Sequence, residues 1–398
     1  MVEDDDETGP HHDPAWRSDT VLAHAGLAPQ AFHGFVNPPV VRASTVLYKD
    51  ADAMLSRRET RYPYGLMNTP TIEALTTALT ALEGSAAAGT VLVPSGLAAV
   101  AVALMAAVRP QTKVLIPDNV YYPSRRFGDD CLPAFGAEAV YYDPLSADDI
   151  AEKMKGASAA LIEAPGSLTF EMPDVAAIVA AAKANDVVTI FDNTWATPLI
   201  YRPLEHGIDM AAYAGTKYFG GHSDVMIGSI SASAETWPRL QRLHRTFGLQ
   251  AGTEEIWLTL RGLRTLGVRL ERHERSALRV ANWLNEQRRV ARVLCPALPD
   301  DPGHALWRRD FGRTSGLFAF VLDGGLDEAK RFLNALALFG LGPSWGGFES
   351  LAILAELEHA RSVRPWAEGA VIRLHIGLED VADIIADLER GFAAISKA

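Results

Sequence analysis

Lys217 sits in Ala212-Tyr213-Ala214-Gly215-Thr216-Lys217-Tyr218-Phe219-Gly220-Gly221-His222-Ser223-Asp224, downstream of Phe191-Asp192-Asn193-Thr194-Trp195. A lysine amine condenses with an aldehyde cofactor to a Schiff base, and pyridoxal phosphate additionally wants a carboxylate beside its pyridinium nitrogen. Lys217 and Asp192 can supply that pair. A bare Thr-Lys-Tyr is ordinarily a solvated surface segment, and a glycine-rich loop joining two buried elements would look the same. The neighbours favour a ligand: Gly215, Gly220 and Gly221 let backbone approach one, and the Thr216 hydroxyl can bond a phosphate.

The elements that must position these residues begin at about residue 88, where β-branched runs alternate with helical stretches in the manner of an α/β domain with a largely parallel sheet. Thr90-Val91-Leu92-Val93 runs into Pro94-Ser95-Gly96 and an alanine-rich helix from Leu97. Val114-Leu115-Ile116 ends at Pro117-Asp118-Asn119, Ala160-Leu161-Ile162 at Glu163, and Val187 to Phe191 at Asp192. Ligands of open α/β sheets gather beyond the carboxyl ends of strands, so these polar ends predict one pocket. Ser95-Gly96-Leu97 is a ready anion site because the first helical turn leaves amides unpaired, although Ser95 as a plain N-cap explains the same residues.

Beyond about residue 250 the pattern predicts amphipathic helices over Glu254 to Leu266 and Glu271 to Arg288, strands at Leu317 to Leu322 and Arg373 to Ile376, and a closing helix over Val381 to Ile395. The expected division is an N-terminal arm, 1–62, a large domain, 63–255, and a small C-terminal domain, 256–398.

The chain has 398 residues and a net charge of −12, and shows no clustered basic face for nucleic acid. Its two cysteines, Cys131 and Cys295, are far apart, which excludes a disulfide framework and a CxxC site and fits a reducing cytoplasm. Met1-Val2-Glu3-Asp4-Asp5-Asp6-Glu7 is the opposite of a signal peptide, and Leu97 to Val108 is too short to span a bilayer. A cytoplasmic protein without membrane or nucleic-acid partners is expected. His11-His12 lies in a polar, acidic terminus and receives no metal or other function.

From about Asp19 to the end the chain resembles the cysteine and methionine metabolism family of pyridoxal-phosphate enzymes, and within it the cystathionine β-lyases. The resemblance rests on Tyr64 to Thr71, Ser95-Gly96, Asp118 to Arg126, Asp192 to Trp195, Thr216-Lys217, Ser344 to Ser350 and Arg373 to Glu379, in the family's order. It implies the aspartate-aminotransferase-like fold, fold type I, with pyridoxal 5'-phosphate held covalently by Lys217, paired to Asp192 and covered by Tyr121. Backbone amides of Gly96 and Leu97, with Ser95 and Thr216, would hold the phosphate. Arg373 would fork onto the substrate carboxylate, with Ser344 and Trp345 completing the substrate site. Lys217, Tyr121 and Tyr64 form the implied catalytic set, Tyr64 reaching a neighbouring subunit of a homotetramer built as a dimer of dimers.

Two residues depart from the pattern. Tyr64-Gly65-Leu66 has leucine where an arginine commonly reaches the neighbour's phosphate, a loss of roughly 1.5–3 kcal/mol unless a cation such as Arg61 moves in. Pro343 replaces a frequent aromatic. The implied reaction is α,β-elimination of a cysteine thioether, L-cystathionine, to homocysteine, pyruvate and ammonia. Left open are γ-elimination, γ-replacement or β-lysis of cystine and other cysteine conjugates on the same scaffold, and a non-catalytic cofactor-binding protein. A structural or interaction protein would leave the polar strand ends unexplained.

Overall fold

The computed structural model describes residues 13–56 and 60–396; the acidic start and His11-His12 lie outside them. Seven strands form the larger sheet: β1 (Gly89–Val93), β2 (Lys113–Pro117), β3 (Glu138–Tyr142), β4 (Ala157–Glu163), β5 (Val188–Asp192), β6 (Met210–Ala214) and β7 (Gly228–Ala232). Their spatial order is β1-β7-β6-β5-β4-β2-β3, with β7 antiparallel to both neighbours and the other pairs parallel. The sheet is therefore mixed but mostly parallel. Helices cover both faces, and β1 and β4 accordingly read as continuous apolar or small-residue runs, buried throughout except at Glu163.

The helix Gly96–Ala107 starts where β1 ends. Ser95 caps it, its hydroxyl accepting the Ala98 N–H at 3.1 Å. A Cβ on Gly96 would lie 2.3 Å from the Ala214 Cβ, so only glycine lets the helix start press against the end of β6. Alanines and valines along the helix then fill the face of the sheet, with Ala99, Ala103 and Leu104 fully buried.

The smaller sheet contains β8 (Val290–Leu294), β9 (Leu317–Leu322), β10 (Gly340–Leu341), β11 (Leu351–Leu354) and β12 (Ala370–His375), in the order β10-β11-β12-β9-β8. Only β10 and β11 pair in parallel. The helix Val381–Ser396 packs on this sheet, as the apolar spacing predicts. The two preceding helices differ from expectation: they span Thr253–Leu263 and Leu266–Asn285. The break falls at Arg264-Thr265, where the Arg264 guanidinium donates to the carbonyls of Leu22 and Ala25 at 2.7 and 3.0 Å. The expected break, after Leu266, therefore falls earlier, beside this long-range contact.

Within the N-terminal span, Ser18–His24 is helical and buries Val21, Leu22 and nearby Ala25 against the helix Pro70–Glu83. Residues 33–50 form no helix or strand, and Phe35, Val36 and Leu47 stand exposed.

Contacts between the two sheets fix the cavity described next. The Trp195 indole donates to the Leu317 carbonyl at 3.0 Å. The Asp118 carboxylate accepts the N–H groups of Ser362 and Arg364, both at 2.8 Å, and holds Arg125 at 2.6 Å. Cys131 and Cys295 are both free thiols.

Candidate active site

Beyond the ends of β1, β2, β4, β5 and β6, under the edge of the smaller sheet, lies a cavity of about 520 Å³. Ser95, Gly96, Leu97, Tyr121, Asp192, Thr216, Lys217, Ser344, Trp345 and Arg373 all line it, as does Pro343. Of the residues given a task at the site, Tyr64 is outside. Its hydroxyl lies 3.2 Å from the Ser44 Oγ, and its ring is half-exposed. Asp118 and Asn119, the polar end of β2 expected to reach the pocket, do not line it either, Asp118 being turned onto Arg125 and the Ser362 and Arg364 amides.

Lys217 follows β6 on a turn closed by its N–H to the Ala214 carbonyl at 3.0 Å. Its Nζ donates to the Ser344 Oγ at 2.8 Å and lies 5.3 Å from the centre of the Trp345 ring. Burial, reinforced by the Arg373 charge, lowers its pKa to about 8. A substantial neutral fraction near neutrality makes this amine a nucleophile and a base. Arg373, on β12, donates from Nη2 to the Ser344 carbonyl at 3.0 Å. Its Nε is buried with no hydrogen-bond partner among the described residues, and burial lowers its pKa to about 10. A guanidinium with an unmatched donor in a cavity invites a carboxylate.

At the far wall, Asp192 accepts the Thr194 N–H at 3.1 Å and hydroxyl at 2.6 Å, both on Oδ1. Its other oxygen remains available. Burial raises the Asp192 pKa and the Thr194 bonds oppose that rise. Glu163 stands beside it at the end of β4 and accepts the Tyr121 N–H at 2.8 Å. Burial, then the Asp192 charge, pushes the Glu163 pKa well above the usual carboxylate range. Burial, then Asp192 and Glu163, also raises Tyr121, which keeps its phenol protonated.

The donor set fits pyridoxal phosphate. The cradle at Gly96 is closed to any side chain by Ala214, and the first amides of the helix Gly96–Ala107 have no intrahelical partner. The Thr216 hydroxyl donates to the Ile227 carbonyl at 3.1 Å and accepts the Ile227 N–H at 3.0 Å, so it would have to exchange that carbonyl for a phosphate oxygen. Arg61 is forked onto Glu73 at 3.1 and 2.9 Å and does not line the cavity.

Sequence reasoning placed Glu163 and Thr194 at strand ends without giving them a task, and it passed over Met226 and the Gly166–Phe170 wall. Glu163 carried a signal, an acid closing an otherwise apolar strand. The wall carried none, since Leu168 and Phe170 adopt φ of 65° and 55°, unusual for such side chains.

The sequence profile of the Cys/Met metabolism PLP-dependent enzymes matches residues 19–393. The chain belongs to that family. A cystathionine beta-lyase of Escherichia coli is 41% identical over 390 residues, covering 95% of this chain and 98% of the relative. A Rhizobium johnstonii protein with a provisional cystathionine beta-lyase name is 50% identical over 384 residues, covering 95% and 96%. Among solved structures, a cystathionine gamma synthase from Xanthomonas oryzae pv. oryzae, in complex with cystathionine, superimposes with a TM-score of 0.88 at 30% identity, covering 96% of this chain and 99% of its own. The family depends on pyridoxal phosphate, and the mixed sheet with its smaller companion is the family's fold type I architecture.

Proposed function

We propose that the protein is a carbon–sulfur lyase that cleaves the β-carbon to sulfur bond of L-cystathionine, releasing homocysteine and then pyruvate and ammonia with uptake of one water. The observation that carries this reading is the Lys217 amine, buried and held at 2.8 Å from the Ser344 Oγ, with Trp345 beside it and Arg373, whose Nε has no hydrogen-bond partner among the described residues, at the same wall. The likeness to named β-lyases supports it.

Bound pyridoxal phosphate supplies an electron sink for the charge left at the substrate's α-carbon. The chain's residues do the rest. Lys217 would anchor the cofactor, Asp192 would keep its ring nitrogen protonated, and Tyr121 would cover the ring. Gly96 and Leu97 give backbone N–H groups to the phosphate, with Ser95 and Thr216 beside them. Arg373 grips the substrate carboxylate. Lys217, once displaced, takes the α-proton at Nζ, and the Ser344 Oγ holds that amine in line. The leaving sulfur takes a proton from the Lys217 ammonium or from a phenol, Tyr121 of this chain or a neighbour's copy of Tyr64. Trp345 keeps water away from that step until the thiol has left.

Tyr64, Leu66 and Met67 are exposed on one segment outside their own chain's cavity, which supports a homotetramer of two dimers with Tyr64 facing a neighbour's site. Free thiols in an acidic chain support a cytoplasmic setting, and no helix of the described residues is long and apolar enough to cross a membrane.

A γ-type reaction is the second reading, favoured by the likeness to a gamma synthase. Incubating cofactor-loaded protein with L-cystathionine decides between them. Pyruvate with homocysteine is expected, and 2-oxobutyrate with cysteine would replace the β-lyase reading by a γ-lyase. Lys217→Ala is expected to lose both the visible absorption of lysine-bound cofactor and turnover; retained turnover would remove Lys217 from the scheme.

A further inference from the structure

Ser344 and Trp345 belong to no helix or strand, yet the proposed site depends on where they stand. They occupy the turn between β10 and β11, and that turn lies directly on the backbone of the lysine. Gly346 has φ of 86°, and a Cβ there would come within 2.9 Å of the Lys217 carbonyl carbon and 3.0 Å of the Tyr218 nitrogen. The far end of the turn is tied down by the Ser350 N–H and hydroxyl, which both donate to the Glu379 carboxylate at 2.7 and 2.9 Å. Nearer the turn's start, Arg373 bonds the Ser344 carbonyl at 3.0 Å, and a second side chain bonds the backbone just beyond it. The Gly346 N–H points at the Nε2 of His375 at 3.1 Å, and that nitrogen is also 3.1 Å from the Gly347 carbonyl.

His375 is fully buried, two residues beyond Arg373 on β12. Burial, and then the neighbouring His273, Arg373 and Lys217, hold its pKa down at about 3, so the ring is neutral and carries one donor and one acceptor. Its two nitrogens must therefore divide the work. His273 donates its Nδ1–H to the Ile376 carbonyl at 2.8 Å, which leaves His273 Nε2 as an acceptor, buried without a partner. The His375 Nδ1 is likewise buried without a partner, on a ring whose centre is 5.2 Å from that of His273. A proton on His375 Nδ1 leaves the Nε2 lone pair to accept the Gly346 N–H, whereas a proton on Nε2 would go to the Gly347 carbonyl instead. Tyr218, which follows Lys217 directly, packs edge-on against both the His375 ring and the Trp345 ring, and its hydroxyl accepts the Gly316 N–H at 2.9 Å. The imidazole is thus keyed into the lysine segment, the arginine strand and the turn that bears Ser344 and Trp345.

We propose that His375 is a positioning residue of this active site: the lone pair on its Nε2 holds the Gly346 N–H and, through that turn, sets Ser344 and Trp345 against the Lys217 amine while Arg373 is fixed two residues away on the same strand. None of its atoms need touch the substrate. The inference rests on the proposed tasks of Lys217 and Ser344 but not on which thioether is cleaved.

The test compares three substitutions by where each puts an acceptor. His375→Gln places an amide oxygen near the position of Nε2, His375→Asn places one near Nδ1, and His375→Leu has none. The readout is the rate at which cofactor-free protein captures pyridoxal phosphate as a function of pH, which follows the neutral fraction of Lys217, together with kcat/KM and the melting temperature. His375→Gln is expected to keep the wild-type midpoint. His375→Asn and His375→Leu should admit water beside the amine, moving the midpoint upward by about one pH unit and lowering kcat/KM roughly tenfold. Equal midpoints for Gln and Asn, even with lowered melting temperatures in all three, would reduce His375 to a packing residue and overturn the proposal. If His375→Leu does not fold, the Gln and Asn pair carries the comparison alone. Failure of wild-type protein to cleave cystathionine, with the midpoints ordered as expected, would sink the substrate reading and leave this inference standing.

Discussion

The Lys217 ammonium is costly to keep in the cavity, because burial disfavours it and Arg373 opposes it. Its folded pKa of about 8 lies below the unfolded lysine value of roughly 10.4. The folded protein therefore binds fewer protons than the unfolded chain between those values, so stability rises with pH across that window and the full penalty applies below about 8. Lys217→Met should accordingly raise the melting temperature of the cofactor-free protein at pH 7, by an amount that shrinks as pH climbs through 8 to 10; calorimetry at several pH values reads this directly. Arg373→Lys loses the planar fork and should raise KM for an amino-acid substrate roughly tenfold or more with a smaller effect on kcat. Equal KM values would show that the carboxylate binds elsewhere. Lys217 and Asp192 could be singled out from their chemistry and Arg373 through the family resemblance, and all three line the cavity. His375 could not be singled out, since its task depends on a backbone N–H from a turn far away in sequence.

Among the elements, the junction of β1 with the helix Gly96–Ala107 is tightly constrained. Gly96→Ala sets a methyl 2.3 Å from the Ala214 Cβ, so the helix start must retreat. Overpacking of this kind costs about 1–3 kcal/mol, and displaced amides should weaken cofactor binding by at least tenfold in a titration at equilibrium. Unchanged binding would mean that these amides are not the phosphate cradle. Four of the seven strands of the larger sheet, β1, β2, β4 and β5, were legible because they are apolar runs of strand length bounded by glycine, proline or acid; β3, β6 and β7 were not singled out. Two separate helices were legible after residue 250, but their break was placed after Leu266 and lies at Arg264-Thr265, where Arg264 answers to the carbonyls of Leu22 and Ala25. The Gly166–Phe170 wall is set by its packing among neighbours rather than by local preference.

For the whole molecule, the decisive position is Leu66, 40% exposed and remote from the cavity of its own chain. If each site is completed by a neighbour's Tyr64 segment, Leu66→Arg should tighten pyridoxal phosphate binding by roughly tenfold or more, the worth of a charged hydrogen bond. The same construction predicts that turnover falls on dilution to nanomolar concentrations as dimers part, following the mass seen by light scattering. A monomer with undiminished activity would refute the shared site. The assembly is expected only through the family resemblance, and Leu47, Tyr64, Leu66 and Met67 stand exposed on the single chain.

Two of the eight tryptophans, Trp195 and Trp345, stand in the wall of the cavity. A chromophore absorbing in the near ultraviolet and bound between them will take up their emission by energy transfer, while the indoles farther off respond less. The unlabelled protein thus carries its own optical gauge of cofactor loading. Replacing Trp195 and Trp345 one at a time by phenylalanine would tell which side of the pocket fills first.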